Sequence, residues 1–164
     1  MDVGCGPGNR TDDLPKDCEL FGFDPNEGYI TDAKRNYVGT FILGDMRRFL
    51  DLHGNELEGS VDLIICCGVL HHVSIDEISE ILAGSKLLLK EGGRFAAIEP
   101  TRLQKQDCFS RFLVNQDRGQ NVLMDYEWAD QLRRHFSVYE MRVVNRLLRI
   151  PYTHALMTGW KARD

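Results

Sequence analysis

Asp2-Val3-Gly4-Cys5-Gly6-Pro7-Gly8 sets a carboxylate beside three glycines at alternate positions. Glycines so spaced let backbone N–H groups approach a ligand closely, because no Cβ stands in the way. Asp24 follows Gly4 by twenty residues, where a carboxylate can accept hydrogen bonds from both hydroxyls of a ribose. Gly44-Asp45-Met46 supplies a second carboxylate, suited to an exocyclic adenine amine. Cys66-Cys67-Gly68-Val69-Leu70-His71-His72 adds backbone carbonyls for a cationic group and two imidazoles. An imidazole titrates near neutrality and can take a proton from a substrate hydroxyl. Together these groups suit an adenosine-containing ligand with a free ribose.

Each group also has a plainer reading. Aspartate is common at helix N-caps and strand-end turns, and a histidine just before Ser74 can cap or pack the helix that starts there. Taken singly, Asp24 and Asp45 are better explained that way. Taken with the glycine loop and the Cys67–His72 run, they are not.

The elements that must position these groups alternate. Apolar, β-branched runs at 19–23, 38–43, 61–67 and 94–98 are separated by helical patterns, which predicts an α/β fold with a parallel sheet and right-handed crossovers. Residues 27–36 read as a helix and 46–52 as a helical turn. Ser74 and Glu77 form a capping box ahead of Ile75, Ile78, Ile81, Leu82 and Leu88, a helix predicted to run to Gly92-Gly93. The segment between Gly8 and Asp17 is short and holds Pro15, so its crossover is short or irregular. Residues 102–124 read as a substrate-side insertion, 126–135 as a helix, and 138–150 with 153–161 as a terminal antiparallel hairpin.

In this order the motifs resemble those of class I S-adenosylmethionine-dependent methyltransferases: residues 2–8 the glycine loop, Asp24 the ribose acid, 44–46 the adenine-side acid, 62–72 the fourth-strand motif and 87–93 the turn before the fifth strand. The resemblance covers most of the chain and implies a Rossmann-like, doubly wound, mostly parallel seven-stranded sheet with an antiparallel C-terminal strand. It implies S-adenosyl-L-methionine as cofactor, with Asp2, Gly4, Cys5, Gly6 and Gly8 around its methionine part, Asp24 and Pro25 at the ribose, Asp45 and Met46 at the adenine, and the Cys67 backbone at the amino group. His71 and His72 are the candidate bases. Glu99, Arg111, Arg118, Tyr126 and Tyr152 are the candidate acceptor contacts, the arginines favouring carboxylate or phosphate groups. Residues 115–119 and 148–154 resemble bacterial methyltransferases of surface polysaccharide or small-molecule pathways, which implies a sugar-linked or lipid-linked acceptor, while the arginines suggest an anionic one. A dehydrogenase is disfavoured, since its fingerprint puts a glycine where this chain has Asn9.

Composition narrows the classes further. The chain has 164 residues, 43% hydrophobic and 27% charged, as expected of one globular domain. Net charge is −5, split into about −9 for residues 1–101 and +4 for 102–164, which argues against general nucleic-acid binding. No apolar run reaches the ~20 residues of a membrane span and no signal peptide pattern opens the chain, so a cytoplasmic protein without membrane association is expected. Five cysteines without framework spacing are expected to be reduced, and adjacent Cys66-Cys67 lacks the gap of a metal site, so no metal is expected. The expected partner is a small-molecule substrate. Only residues 1–3 precede the glycine loop, which leaves three origins open: a fragment, a misassigned start, or a homodimer that shares cover over the cofactor. The same shortness keeps open a non-catalytic partner subunit with a degenerate methyltransferase fold.

Overall fold

The computed structural model describes residues 1–164 apart from 10, 12, 13, 16, 107, 117, 118, 120, 146, 149, 151 and 164 and the side chains of 109 and 115. Seven strands form one sheet: β1 (Asp2–Val3), β2 (Phe21–Asp24), β3 (Thr40–Leu43), β4 (Val61–Cys67), β5 (Leu89–Pro100), β6 (Val138–Asn145) and β7 (Thr153–Trp160). Their order is β3-β2-β1-β4-β5-β7-β6, with β7 antiparallel to both β5 and β6 and the other pairs parallel. The order reverses beside β1, between β2 and β4. There the carboxyl ends of neighbouring strands open a crevice, the place where open α/β sheets bind ligands.

Among the described residues five α-helices accompany the sheet: α1 (Glu27–Asn36), α2 (Met46–Leu57), α3 (Ile75–Leu88), α4 (Cys108–Asn115) and α5 (Asp125–His135). Residues alternate across each strand, so Phe21 and Phe23 point to the face covered by α2, where Phe23 and Phe49 lie 5.5 Å apart between ring centroids. Leu20 joins Ile30 and Ala33 of α1 with Phe41 and Cys5 in a smaller core on the other side. The main core continues through α3 and α5, where Phe95 of β5 stacks on Phe136 at 5.9 Å. Among the described residues no helix is long and apolar enough to cross a membrane.

Two elements depart from the sequence pattern. Helix α2 extends to Leu57 instead of stopping after one or two turns, because Met46, Phe49 and Leu57 all bury against the core. Helix α3 ends at Leu88, not at the glycine pair: Leu89 is extended, its N–H donates to the Ser85 carbonyl, and it already pairs with Val61 of β4. Leu88 and Leu89 are both fully buried, so packing stops the helix one turn before Gly92, which instead takes φ 72° within β5. The capping box is present, with the Glu77 carboxylate accepting from the Ser74 N–H at 2.8 Å. The described residues between Gly8 and Leu20 carry only turns, held by Thr11 N–H to Gly8 O and Cys18 N–H to Pro15 O.

Candidate active site

The glycine loop runs straight off β1 at the reversal of the sheet. Gly4, Gly6 and Gly8 have φ of 63°, 54° and 87°, a region other residues enter only at a cost. A Cβ on Gly4 would stand 2.4 Å from a Val69 methyl, whereas one on Gly6 would meet nothing within 4 Å, so the loop is tight beneath and open above. Cys5 is buried, its N–H donating to the Phe23 carbonyl at 3.0 Å. Asp2, only 2% exposed, lies within β1 between Gly22 and Ile65.

Asp24 ends β2 beside this loop. One carboxylate oxygen accepts from the Gly6 N–H at 3.0 Å, the other from the Asn26 N–H at 2.9 Å. A carboxylate has about four acceptor positions, so each oxygen keeps capacity for a further donor while the two backbone bonds hold the group in place. Pro25 follows on the exposed surface. Asp45 is exposed and caps α2 by accepting from the Arg48 N–H at 2.9 Å. The plainer reading of Asp45, a helix cap, is therefore present. Met46 is 3% exposed and its side chain packs against Gly84 of α3, where an added Cβ would meet its sulfur at 2.8 Å. Only its backbone can serve a ligand at that edge.

Past the end of β4 the chain turns through Gly68 (φ 68°) into a 3-10 turn, Leu70–His72, before α3. Glu99 of β5 organises this turn. It is completely buried, and its carboxylate accepts from the N–H groups of Val69 (2.9 Å), Leu70 (2.9 Å) and His71 (3.3 Å) and lies 2.6 Å from His71 Nδ1. Four converging donors satisfy a buried carboxylate that would otherwise be costly. Glu99 thus does not line the substrate mouth as a direct contact; burial under the turn makes it the residue that orients His71. The carboxylate lies at Nδ1, so Nε2 is the ring nitrogen that faces away from it.

His71 lines a cleft of about 450 Å³ beyond the carboxyl ends of β4 and β5. Cys67, Gly68, Ile98 and Pro100 form its sheet side, Leu113 of α4 and Gln116 just after it one wall, and Leu148, Ile150, Tyr152 and His154 the other. The 102–124 segment is tied down around it. Asn121 donates from its backbone N–H to His71 O at 2.9 Å and from Nδ2 to Val73 O at 2.7 Å. Trp128 Nε1 donates to Pro100 O at 3.2 Å, and Gln106 bridges to Thr153 at 2.9 Å.

Of the sequence-predicted residues, the structure gathers Cys67, His71 and Tyr152 at the cleft and Asp2, Gly4, Cys5, Gly6, Gly8 and Asp24 at the loop beside it. His72 is exposed and stacks on the outer side of His71 at 3.9 Å between centroids, outside the cleft lining, because adjacent residues of the turn diverge. Arg111 is exposed on α4 and Tyr126 is 53% exposed on α5, neither among the lining residues. Arg118 lies outside the described residues. Leu113 was missed by the sequence reading, while Gln116 and His154 fall in the 115–119 and 148–154 segments; long-range pairing of β5 with β7 brings His154 opposite Pro100, a placement no local pattern announces.

A family model described as a methyltransferase domain matches residues 1–93, more than half of the chain. The chain belongs to the class I S-adenosylmethionine-dependent methyltransferase family. The chain is 29% identical over 156 residues to a highly reducing polyketide synthase of Emericella nidulans, an alignment that takes in 82% of the chain but 6% of that protein. The chain thus spans a small piece of that relative. Its fold is similar to a SAM-dependent methyltransferase from Archaeoglobus fulgidus, with TM-score 0.75, 14% identity, and 96% and 84% of the two chains covered. It is also similar to geranyl diphosphate C-methyltransferase from Streptomyces coelicolor A3(2), solved with Mg2+, geranyl diphosphate and S-adenosyl-L-homocysteine, with TM-score 0.71, 11% identity, and 98% and 72% covered. Identities this low speak for the fold, which places the matched glycine loop and the cleft side by side at the same sheet edge.

Proposed function

We propose that the methyltransferase moves a methyl group from S-adenosylmethionine to a small-molecule acceptor bound in the cleft, with His71 removing the acceptor proton. The observation that carries this reading is the buried Glu99–His71 pair on a cleft lined by Cys67 and Gly68, at the end of the strand that pairs with β1 and next to Val69, which packs against Gly4 of the glycine loop. The residues fit the cofactor: Gly6 leaves open space above the loop, and Asp24 is held by two backbone bonds with acceptor capacity to spare. Asp24 would hold the ribose, Gly4, Gly6 and Gly8 the methionine part, the Asp45 carboxylate and Met46 backbone the adenine, and the Cys67 backbone the amino group. When bound, S-adenosylmethionine supplies an electrophilic methyl on a sulfonium. The protein's task is then to align the acceptor atom at about 3 Å and to take its proton.

Glu99, 2.6 Å from Nδ1, orients the His71 ring, in the manner of a carboxylate-oriented general base. A base is required where the acceptor atom is a weakly acidic O–H or C–H. Among the described residues no lysine or arginine lines the cleft, so an anionic acceptor finds no cation among them. The test is transfer from S-adenosylmethionine carrying a labelled methyl to a panel of phenols, 1,3-diketones, carboxylic acids and nucleotide sugars. Label in the phenols or diketones is the expected result. Cofactor binding without label in any member would leave a non-catalytic binding subunit.

A further inference from the structure

The cleft continues outward onto apolar side chains that proton removal does not require. Leu148 and Ile150 line it and are still 51% and 47% exposed. Phe112 of α4, 57% exposed, accepts on its carbonyl from the N–H of the cleft residue Gln116 at 3.1 Å, so it lies one turn before it. The mouth is therefore rimmed by hydrocarbon from two sides. Scattered exposed apolar residues are ordinary, but a group continuous with a concave site is the kind that marks a ligand.

Inside the cleft His154 of β7 is nine-tenths buried, and its Nδ1 is enclosed with no hydrogen-bond partner among the described residues. Buried polar atoms are almost always paired, so an orphan in a ligand cleft points to a partner that comes with the ligand. Depending on the tautomer, Nδ1 can serve a ligand as donor or acceptor. Burial pushes its pKa below the ordinary 6.5, which keeps the ring neutral at physiological pH.

We propose that the acceptor is an uncharged, elongated molecule, with an oxygen-bearing head hydrogen-bonded to His154 beside His71 and a hydrocarbon tail laid over Ile150, Leu148 and Phe112. This rests on the methyltransferase reading of the cleft and names the substrate class it serves. His154 is a positioning residue in this scheme, and the rim sets tail length.

The experiment is calorimetric titration of para-alkylphenols from ethyl to hexyl into protein saturated with S-adenosylhomocysteine, itself titrated first. Each added methylene tightens binding by about fourfold while the tail remains over the rim. The exposed-rim variants Leu148→Asn and Ile150→Asn flatten that series, and His154→Ala weakens all members by the same factor, about tenfold. Affinity indifferent to chain length, or equally steep in both rim variants, overturns the tail site; unchanged affinity in His154→Ala overturns the head contact. If S-adenosylhomocysteine binds and no phenol does, the substrate class is wrong and the methyltransferase reading stands. If neither binds, both fall.

Discussion

Asp24→Ala lowers the affinity for S-adenosylmethionine by about two orders of magnitude or more. Hydrogen bonds to a charged group contribute about 1.5–3 kcal/mol each, and two ribose hydroxyls on one carboxylate give about 3 kcal/mol at the least, or roughly a hundredfold in dissociation constant. The loss has a second component. The Gly6 and Asn26 N–H groups both end on this carboxylate, so alanine frees the loop that cradles the methionine part as well as the ribose acceptor. Asp24→Asn keeps the shape but replaces one acceptor oxygen with an NH2 donor that opposes a backbone N–H, and falls between the two. Calorimetry on the three proteins, with circular dichroism to confirm the fold, checks the order. An alanine variant binding within about threefold of wild type would contradict a ribose role for Asp24, leaving its two backbone bonds as its whole purpose.

The second large effect lies at His71 and Glu99. His71→Ala reduces turnover by about 10²–10⁴, the usual share of a general base, while S-adenosylmethionine affinity stays within about threefold because the ring lies on the acceptor side. Glu99→Gln is the more telling change. Its buried carboxylate receives three backbone N–H groups and Nδ1 of the imidazole. The amide NH2 must face at least one of those donors, at about 1–3 kcal/mol of stability. It also ceases to hold Nδ1 as donor, so turnover falls by about 10² or more even where the fold survives. Measuring turnover, cofactor affinity and denaturant stability on both variants separates a base from a packing residue. Full turnover in His71→Ala would remove the base. Lost stability with full turnover in Glu99→Gln would make the carboxylate a clasp for the turn and nothing more.

The residues that touch the proposed cofactor were legible because their chemistry is local. Glycines with positive φ, an acid at a strand end and a capping box each leave a mark within a few residues, and α1 appeared over the very span its polar face predicted. Helix α2 was underestimated because its length is decided by burial of Leu57 against the core, which a short sequence window does not show. Glu99 was misplaced for a similar reason. An acid next to a proline at the end of a strand suggests a solvent-facing mouth, and only the 3-10 turn folding back over β5 reveals four donors around it. His72 and His71 are indistinguishable in sequence; the carboxylate beneath one of them breaks the tie. The acceptor side was least legible, since its walls join α4, the segment after β6 and β7, brought together by antiparallel pairing across more than fifty residues.

The central claim is that this chain holds S-adenosylmethionine on its glycine loop and Asp24. Calorimetric titration of the unaltered protein with S-adenosylmethionine and with S-adenosylhomocysteine tests it most directly. Saturable binding of both at a single site, lost in Asp24→Ala, is the predicted result. No heat from either ligand up to millimolar concentration, in protein that is folded by circular dichroism, would contradict it.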